Sequence, residues 1–321
     1  MNALFVTYSR IGDAVLSTGI LGELIRNHPE VRVTVACGPI ASPLFSVAPN
    51  LIKVIEMPKK KASLHWLDLW RQCAAVHWDI LVDLRNSPVS RLLRARKKYI
   101  GGTADPSRHR VEHLGAIMDM SPPPSPRLWL NDCHRHVARK LLPENRPILA
   151  LGPVANWIGK QWDGEKFAEL AKRLTSLSGI LQDAPVVVLG GPNERDQTEA
   201  VTQLIPSDQR VDLVGKIDLL TACAVLRQCA LFVGNDSGLM HIAAASGIAT
   251  LGLFGPSREE HYAPWGPCSA VVRTKLNYGE LVGGPGYNHL TTGSLMGSLT
   301  VDDVEVAANK LWRQAMREQV A

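Results

Sequence analysis

Between residues 232 and 256, a short group of polar residues separates two apolar runs and carries side chains that could bind a phosphate. Asp236, Ser237 and Gly238 open an alanine-rich segment, and His241 follows the serine by about one helical turn. A helix N-terminus attracts anions through its unpaired N–H groups and its dipole, and a glycine there lets a ligand approach the backbone. A capped helix above a buried histidine would produce the same pattern. The stretch therefore predicts either a phosphate-binding helix start or an ordinary one.

The residues after the first apolar run form a second candidate, the sequence Ser9-Arg10-Ile11-Gly12-Asp13. A carboxylate placed after a strand could serve as a general base, and it could equally cap the helix that follows. Neither the G-x-G-x-x-G turn of dinucleotide-binding folds nor a P-loop occurs at this position. The residues alone predict proton transfer or helix capping for Asp13 and leave both open.

Two further charged residues follow apolar runs in the second half of the chain. Lys160 comes after the run at 148–151, where its flexible side chain could pair with a diphosphate, although surface lysines are common. Glu194 comes after the run at 186–189, where it could accept hydrogen bonds from a ribose or simply begin a helix. Because ligands bind at the carboxyl ends of parallel strands, both residues are candidates for a ligand site.

Short apolar runs alternate with helical patterns along the whole chain, which is typical of parallel sheets covered by helices. A proline-rich segment at 121–126 separates two such series, so we expect domains at 1–126 and 127–321. The predicted α/β fold is two doubly wound, Rossmann-like domains that face each other across a cleft. The last helix could pack back on the first domain, and the glycine-rich residues 279–298 are predicted to form a surface loop. Predicted strands cover residues 3–7, 31–36, 52–56, 80–84, 98–100, 148–151, 186–189, 211–214, 230–233 and 250–254, and predicted helices cover 13–26, 64–75, 88–94, 164–177, 194–204, 219–227, 237–246 and 302–317.

The composition excludes several classes of protein. Hydrophobic residues make up 45% of the 321, which suffices for ordinary cores. No apolar run approaches the roughly 18 residues of a membrane span, and the start of the chain does not resemble a signal peptide. Six cysteines without C-x-x-C spacing favour neither a disulfide framework nor a zinc site. We therefore expect a cytoplasmic protein without a metal centre.

The charge is distributed unevenly between the two halves of the chain. Residues 1–149 carry a net charge of +9, whereas residues 150–321 carry −4. Such asymmetry favours an anionic partner for the first half, although a solvated face would look the same. Aromatic residues do not alternate with the basic ones as they do in nucleic-acid motifs, so we expect a membrane surface or an anionic glycolipid and no nucleic acid.

Several of these segments together resemble glycosyltransferase family 9, the heptosyltransferases of lipopolysaccharide core assembly. The resemblance extends in order over about residues 3–258 and weakens in the last 60 or so. It is carried by the segments 4–18, 79–85, 152–162, 190–192 and 234–256.

This resemblance implies a GT-B fold and metal-independent, inverting transfer from a nucleotide sugar, typically ADP-heptose, to a lipid A–Kdo or inner-core acceptor. It implies no cofactor beyond the donor, and a protein peripherally associated with the cytoplasmic face of the inner membrane. The family's general base falls on Asp13, with Ser9, Arg10 and Gly12 on the acceptor side. Its donor-binding residues fall on Lys160, Asp236, Ser237, Gly238 and His241, and Glu194 is the ribose candidate.

The sequence departs from the family pattern beside the lysine, where Thr-Lys-Arg-Trp-Pro is replaced by Gly159-Lys160-Gln161-Trp162-Asp163. A hydroxyl and a positive charge are thereby lost beside the expected donor. Two alternatives are therefore kept: a transferase of the same family that uses another nucleotide sugar, and a nucleotide-sugar epimerase of the same fold.

Overall fold

The computed structural model describes residues 1–103, 105, 107–284, 287–288 and 291–320, with the backbone alone at 318–320. The chain divides into two compact units, the first Met1–Asn131 and the second beginning at Asp132. The border falls shortly after the proline-rich segment that was expected to separate two domains. None of the described helices combines the length and the apolar character needed to cross a membrane.

The first unit is built on a five-stranded parallel sheet whose order is β3-β2-β1-β4-β5. This is the strand order of a Rossmann-type sheet, in which the direction of winding reverses between β1 and β4. The apolar runs of β1 and β2 are buried because both strands lie inside the sheet. The elements are β1 (Asn2–Val6), α1 (Ile11–Asn27), β2 (Arg32–Cys37), β3 (Leu51–Glu56), α2 (His65–Cys73), β4 (Trp78–Asp83), α3 (Val89–Leu92), β5 (Ala95–Ile100) and α4 (Arg110–Ala116).

The proline-rich segment packs against α1. A Cβ atom added at Gly19 would lie 2.3 Å from the carbonyl oxygen of Pro124, so only glycine allows this approach. Next to it, the backbone N–H of Arg127 donates a hydrogen bond of 2.9 Å to the Thr18 hydroxyl. The segment therefore covers one side of the helix that carries Asp13.

The second unit is built on a six-stranded parallel sheet whose order is β11-β10-β9-β6-β7-β8. Counted from β6, this is again the Rossmann order, with the reversal between β6 and β9. Helix α12 packs against α6, β10 and β11 of this same unit. The elements are α5 (Asp132–Leu141), β6 (Leu149–Gly152), α6 (Gly164–Thr175), β7 (Val186–Val188), α7 (Arg195–Leu204), β8 (Arg210–Asp212), α8 (Leu219–Leu226), β9 (Leu231–Asn235), α9 (Gly238–Ser246), β10 (Ala249–Phe254), α10 (Glu259–Tyr262), β11 (Ser269–Arg273), α11 (Tyr278–Val282) and α12 (Val301–Val320).

The glycine-rich segment 279–298 is a loop over only part of its length, so that prediction is wrong for residues 279–282 and for Met296. Helix α11 extends into its first residues, and Met296 is buried in the core of the second unit. The Met296 sulfur lies 2.4 Å from where a Cβ of Gly255 would stand, so the glycine makes room for it. Residues 285, 286, 289 and 290 of the predicted loop lie outside the described residues.

Candidate active site

Lys160 and Asp236 meet at the switch point of the second sheet. Strands β6 and β9 pair in parallel up to Gly152 and Gly234, so the segments that follow them leave the sheet side by side. Lys160 lies in a short 3₁₀ turn after β6, and Asp236 directly follows β9. The lysine Nζ donates a hydrogen bond to Oδ2 of the aspartate, and their side chains are only 22% and 7% exposed. Two candidates far apart in sequence therefore form one ion pair where ligands of this fold class bind.

Asn235, which the sequence analysis did not single out, holds the loop that carries the lysine. Its Nδ2 donates to the Pro153 carbonyl at 2.8 Å, and its Oδ1 accepts from the Trp162 backbone N–H at 3.1 Å. These partners flank the Lys160 loop on both sides, so one buried amide fixes both ends of it. The only sequence signal was a polar residue at the end of an otherwise apolar strand.

The start of α9 lies next to this ion pair. Ser237 is the N-cap residue and has an extended backbone, and its side chain caps no N–H group of the helix. The Ser237 hydroxyl is buried and has no hydrogen-bond partner among the described residues. Gly238 is the first helical residue, and the buried His241 follows one turn later. The structure thus brings together Lys160, Asp236, Ser237, Gly238 and His241, with the positive end of a helix dipole beside them.

The C-terminal part of the chain braces the Lys160 loop. The Leu295 backbone N–H donates to the Gly159 carbonyl at 3.0 Å, and the Ser294 hydroxyl donates to the Gln161 carbonyl at 2.6 Å. The indole of Trp162 is buried and donates to the Leu299 carbonyl at 2.9 Å. These contacts hold the backbone on both sides of Lys160, although the sequence had indicated only a glycine-rich loop there.

The Glu194 side chain forms a hydrogen bond within its own loop. It is the N-cap residue of α7, and its Oε2 accepts a hydrogen bond of 2.6 Å from the Gly191 backbone N–H. This contact fits the structural alternative named above. The ribose contact stays a prediction.

In the first unit, Asp13 is the third residue of α1, and the N-cap position belongs to Arg10. The alternative in which Asp13 is the N-cap residue is therefore wrong, because the helix begins two residues earlier than expected. Ser9 packs against Gly38, where an added Cβ would lie 2.5 Å from the serine Cβ. Ser9 and Gly12 are half-buried and Arg10 is exposed, so the acceptor-side candidates lie around the first turn of α1.

Arg110 is the main residue of this group that no local sequence pattern indicates. Its Nε lies 3.8 Å from Oδ1 of Asp13, and the two side chains are 13% and 16% exposed. Its guanidinium also stacks over the Tyr8 ring at 4.8 Å, and the Tyr8 hydroxyl donates to the Leu84 carbonyl at 2.7 Å. Tyr8 follows β1 and Leu84 follows β4, so this group lies at the switch point of the first sheet. From the sequence, Arg110 is only one of the residues that contribute to the net positive charge of residues 1–149.

The described residues contain no group of three or more histidine, cysteine, aspartate or glutamate side chains arranged to hold a metal ion. A cavity of about 390 Å³ does occur beside β3 and α2, lined among others by Met57, Lys60, His65 and Leu69. It contains none of the predicted site residues and is separate from the two groups described above.

Comparisons with known proteins agree with this architecture. A family model described as glycosyltransferase family 9 (heptosyltransferase) matches residues 110–282. The lipooligosaccharide heptosyltransferase 2 of Haemophilus influenzae is 26% identical, with 88% of this chain and 90% of that protein covered. The crystal structure of a family 9 glycosyltransferase from Veillonella parvula superimposes with a TM-score of 0.78 at 19% identity, over 98% of this chain and 97% of that one. The structure of the ADP-heptose lipopolysaccharide heptosyltransferase II of E. coli superimposes with a TM-score of 0.73 at 22% identity, over 98% of this chain and 99% of that one.

Two units, each built on a Rossmann-type parallel sheet, give the chain the GT-B fold, as predicted. The family match covers more than half of the chain. The chain belongs to glycosyltransferase family 9, the heptosyltransferase family, and is a transferase enzyme. Epimerisation, the alternative from another reaction class, is not favoured by this result.

Proposed function

We propose that this protein transfers a heptose from ADP-heptose to a sugar of the lipopolysaccharide core, with inversion at the anomeric carbon. The names of the related proteins support the donor and the acceptor, since they are lipooligosaccharide and ADP-heptose lipopolysaccharide heptosyltransferases. The observation that carries the proposal is the Lys160–Asp236 ion pair beside the start of α9.

The donor diphosphate binds between Lys160 and the first turn of α9 in this proposal. As the bond to the sugar breaks, negative charge develops on the leaving ADP, and fixed positive groups stabilise it. Lys160 supplies a full charge, and the N–H groups that begin at Gly238 supply the helix dipole. Ser237 offers a hydroxyl that has no hydrogen-bond partner in the described part of the chain. Asp236 orients the lysine and contacts the sugar. The charge needed for departure thus comes from the protein, and no metal ion is required.

Asp13 accepts the proton of the acceptor hydroxyl as that oxygen attacks the anomeric carbon. Attack from the face opposite the leaving group inverts the configuration and needs one base rather than the pair of carboxylates used by glycosidases. Arg110 serves as a positioning residue, because its guanidinium attracts the ionised carboxylate and is itself held over Tyr8. The first unit therefore supplies the base and the second unit the donor site.

The acceptor is proposed to be an anionic glycolipid at the cytoplasmic surface of the inner membrane. The relatives' names place their acceptors in lipooligosaccharide or lipopolysaccharide, and residues 1–149 carry the +9 charge that would attract such a surface. Ser9, Arg10 and Gly12 lie beside Asp13 and are the proposed acceptor contacts.

Replacing Lys160 tests the donor site. We expect Lys160→Ala to weaken ADP-heptose binding by about 1.5–3 kcal/mol in calorimetry, because one charge-assisted hydrogen bond to the diphosphate is lost. Lys172→Ala, an exposed lysine on α6 of the same unit, is the matched control and should bind like the parent. Unchanged affinity in Lys160→Ala would refute this donor site.

A panel of donors tests the nucleotide. Thermal-shift titration with ADP-, GDP-, UDP- and dTDP-sugars should show stabilisation by the ADP-linked heptose at the lowest concentration, since a ligand that binds only the folded state stabilises it. Preference for another nucleotide would favour the alternative of a same-family transferase with a different donor.

A further inference from the structure

Helix α2 of the first unit buries one face and exposes an apolar stripe on the other. Leu69 and Cys73 are buried in the core, whereas Leu64, Leu67 and Trp70 are 50%, 40% and 37% exposed. The three exposed residues follow one another at intervals of three, so they lie along one side of the helix. The outer face of a surface helix ordinarily carries polar residues. Three large apolar side chains exposed together there indicate a binding surface.

Basic residues flank this stripe. Lys59, Lys60 and Lys61 precede the helix and are exposed, and Arg71 lies within it. Asp68 is the one acidic residue between 59 and 74, and it already pairs with Lys60 at 2.7 Å. The segment therefore combines exposed leucine and tryptophan side chains with a net positive charge.

We propose that residues 59–74, the α2 anchor, bind the surface of an anionic lipid bilayer. Leu64, Leu67 and Trp70 enter the headgroup boundary, where an indole is especially stable, and the lysines contact lipid phosphates. The positive charge of the segment favours an anionic bilayer as its partner, since each lysine near an anionic membrane adds roughly 1 kcal/mol of attraction. The identity of the membrane rests on the proposed function, in which the acceptor is a membrane glycolipid.

The inner side of α2 holds the helix independently of the stripe. The ring of Trp66 packs under the guanidinium of Arg85 at 4.6 Å, and Leu69 and Cys73 belong to the core cluster of the first unit. Because the exposed residues are not part of that cluster, replacing Leu67 and Trp70 should leave the unit folded.

Co-sedimentation with vesicles tests the anchor. The parent protein should bind vesicles made of equal parts phosphatidylglycerol and phosphatidylcholine, and bind pure phosphatidylcholine weakly. We expect the double variant Leu67→Gln/Trp70→Gln to lower the partition coefficient at least about tenfold, because its apolar contact is lost. Lys59→Gln/Lys60→Gln/Lys61→Gln should lower it by a similar factor and weaken its dependence on salt.

Matched controls lie in the second unit. Leu177 is 81% exposed, so Leu177→Gln removes an exposed leucine outside the anchor. Lys140→Gln/Lys172→Gln/Lys275→Gln removes three exposed lysines and changes the net charge equally. Both controls should bind vesicles like the parent, and circular dichroism should show every variant folded. Trp70→Phe should retain most of the binding, because a large aromatic side chain is kept.

Several results would overturn the proposal. Failure of the parent to bind anionic vesicles at low salt would do so, as would equal losses in the anchor variants and their controls. A double variant that binds vesicles normally but changes the oligomeric state in light scattering would show that the stripe contacts protein instead.

The outcome is separable from that of the proposed function, because vesicle binding needs neither donor nor sugar transfer. If the parent transfers heptose to a soluble acceptor but ignores vesicles, only the anchor is refuted. If vesicle binding depends on the stripe but no transfer occurs, the anchor stands and the proposed reaction fails.

Discussion

At the level of single residues, the carboxylates of Asp236 and Asp13 differ in their contacts with the basic side chains beside them. Asp236 accepts a direct hydrogen bond from Lys160, which holds the two side chains together. Asp13 and Arg110 are 3.8 Å apart, a distance at which the charges attract without a short hydrogen bond. This difference suits the proposed roles, in which Asp236 holds a donor-binding lysine in place and Arg110 steadies the carboxylate of Asp13.

The positioning role of Arg110 gives a prediction at this scale. Arg110→Gln should lower kcat about fivefold to tenfold and leave the KM for donor within about twofold, because a pair of this exposure contributes on the order of 1 kcal/mol. Arg110→Lys should restore part of the rate, and Arg108→Gln, an exposed neighbour, should behave like the parent. Steady-state kinetics with varied donor separates the outcomes. A raised donor KM at unchanged kcat would make Arg110 a donor ligand instead.

The two carboxylates and the lysine were easier to predict from the sequence than the residues that hold them in place. Each of the three, Asp13, Lys160 and Asp236, follows an apolar run. The strand pattern itself therefore predicted that they lie near the carboxyl ends of the strands. Arg110 and Asn235 are defined by contacts with residues far away in the chain, which no local pattern encodes. Arg110 also lay among other basic residues and could not be told apart from a solvated surface by composition.

At the level of elements, the candidate donor site depends on the loop between β6 and α6. Asn235 fixes its two ends, and the segment around Ser294 fixes its middle. A lysine on a loop that is held at three points is preorganised for a ligand, so less binding energy is lost in ordering it.

This bracing predicts a stability effect. Asn235→Ala removes two buried hydrogen bonds and leaves a carbonyl and an N–H group without partners, so we expect a loss of about 2–4 kcal/mol in the free energy of unfolding. Urea denaturation of the whole chain measures it, with the exposed Gln203→Ala as control. A change below about 1 kcal/mol would mean that water replaces the amide and that the bracing is weak.

Most strands and helices were predictable because their apolar residues recur with clear periods, and the exceptions have physical reasons. Helix α5, which is not among the predicted helices, consists mostly of polar and charged residues and buries only Ala138. Strand β11 lies at the sheet edge and is half-buried throughout, which weakens its pattern. The burial of Met296 depends on space left by Gly255, a contact across the fold that sequence does not show.

At the level of the whole molecule, the same strand order occurs in both sheets, and each candidate group lies where that order reverses. The sequence predicted two parallel sheets, but the placement of β1 beside β4 and of β6 beside β9 arises from long-range packing. Once this order is known, both switch points are predicted ligand sites, because open α/β sheets generally bind ligands there. The uneven charge and the α2 anchor add a proposed membrane-facing surface to the first unit.

Transfer of heptose from ADP-heptose to a soluble, deacylated core acceptor, by the parent and by Asp13→Asn, tests the central claim most directly. Asparagine keeps the size of the side chain and loses only a helix-dipole contribution of about 0.3–1 kcal/mol, so the variant should fold and bind donor. We expect the parent to release ADP and form a product of inverted anomeric configuration, and the variant to react at least about a hundredfold more slowly. A parent that binds ADP-heptose but transfers nothing, or a variant that transfers at the parental rate, would contradict the account.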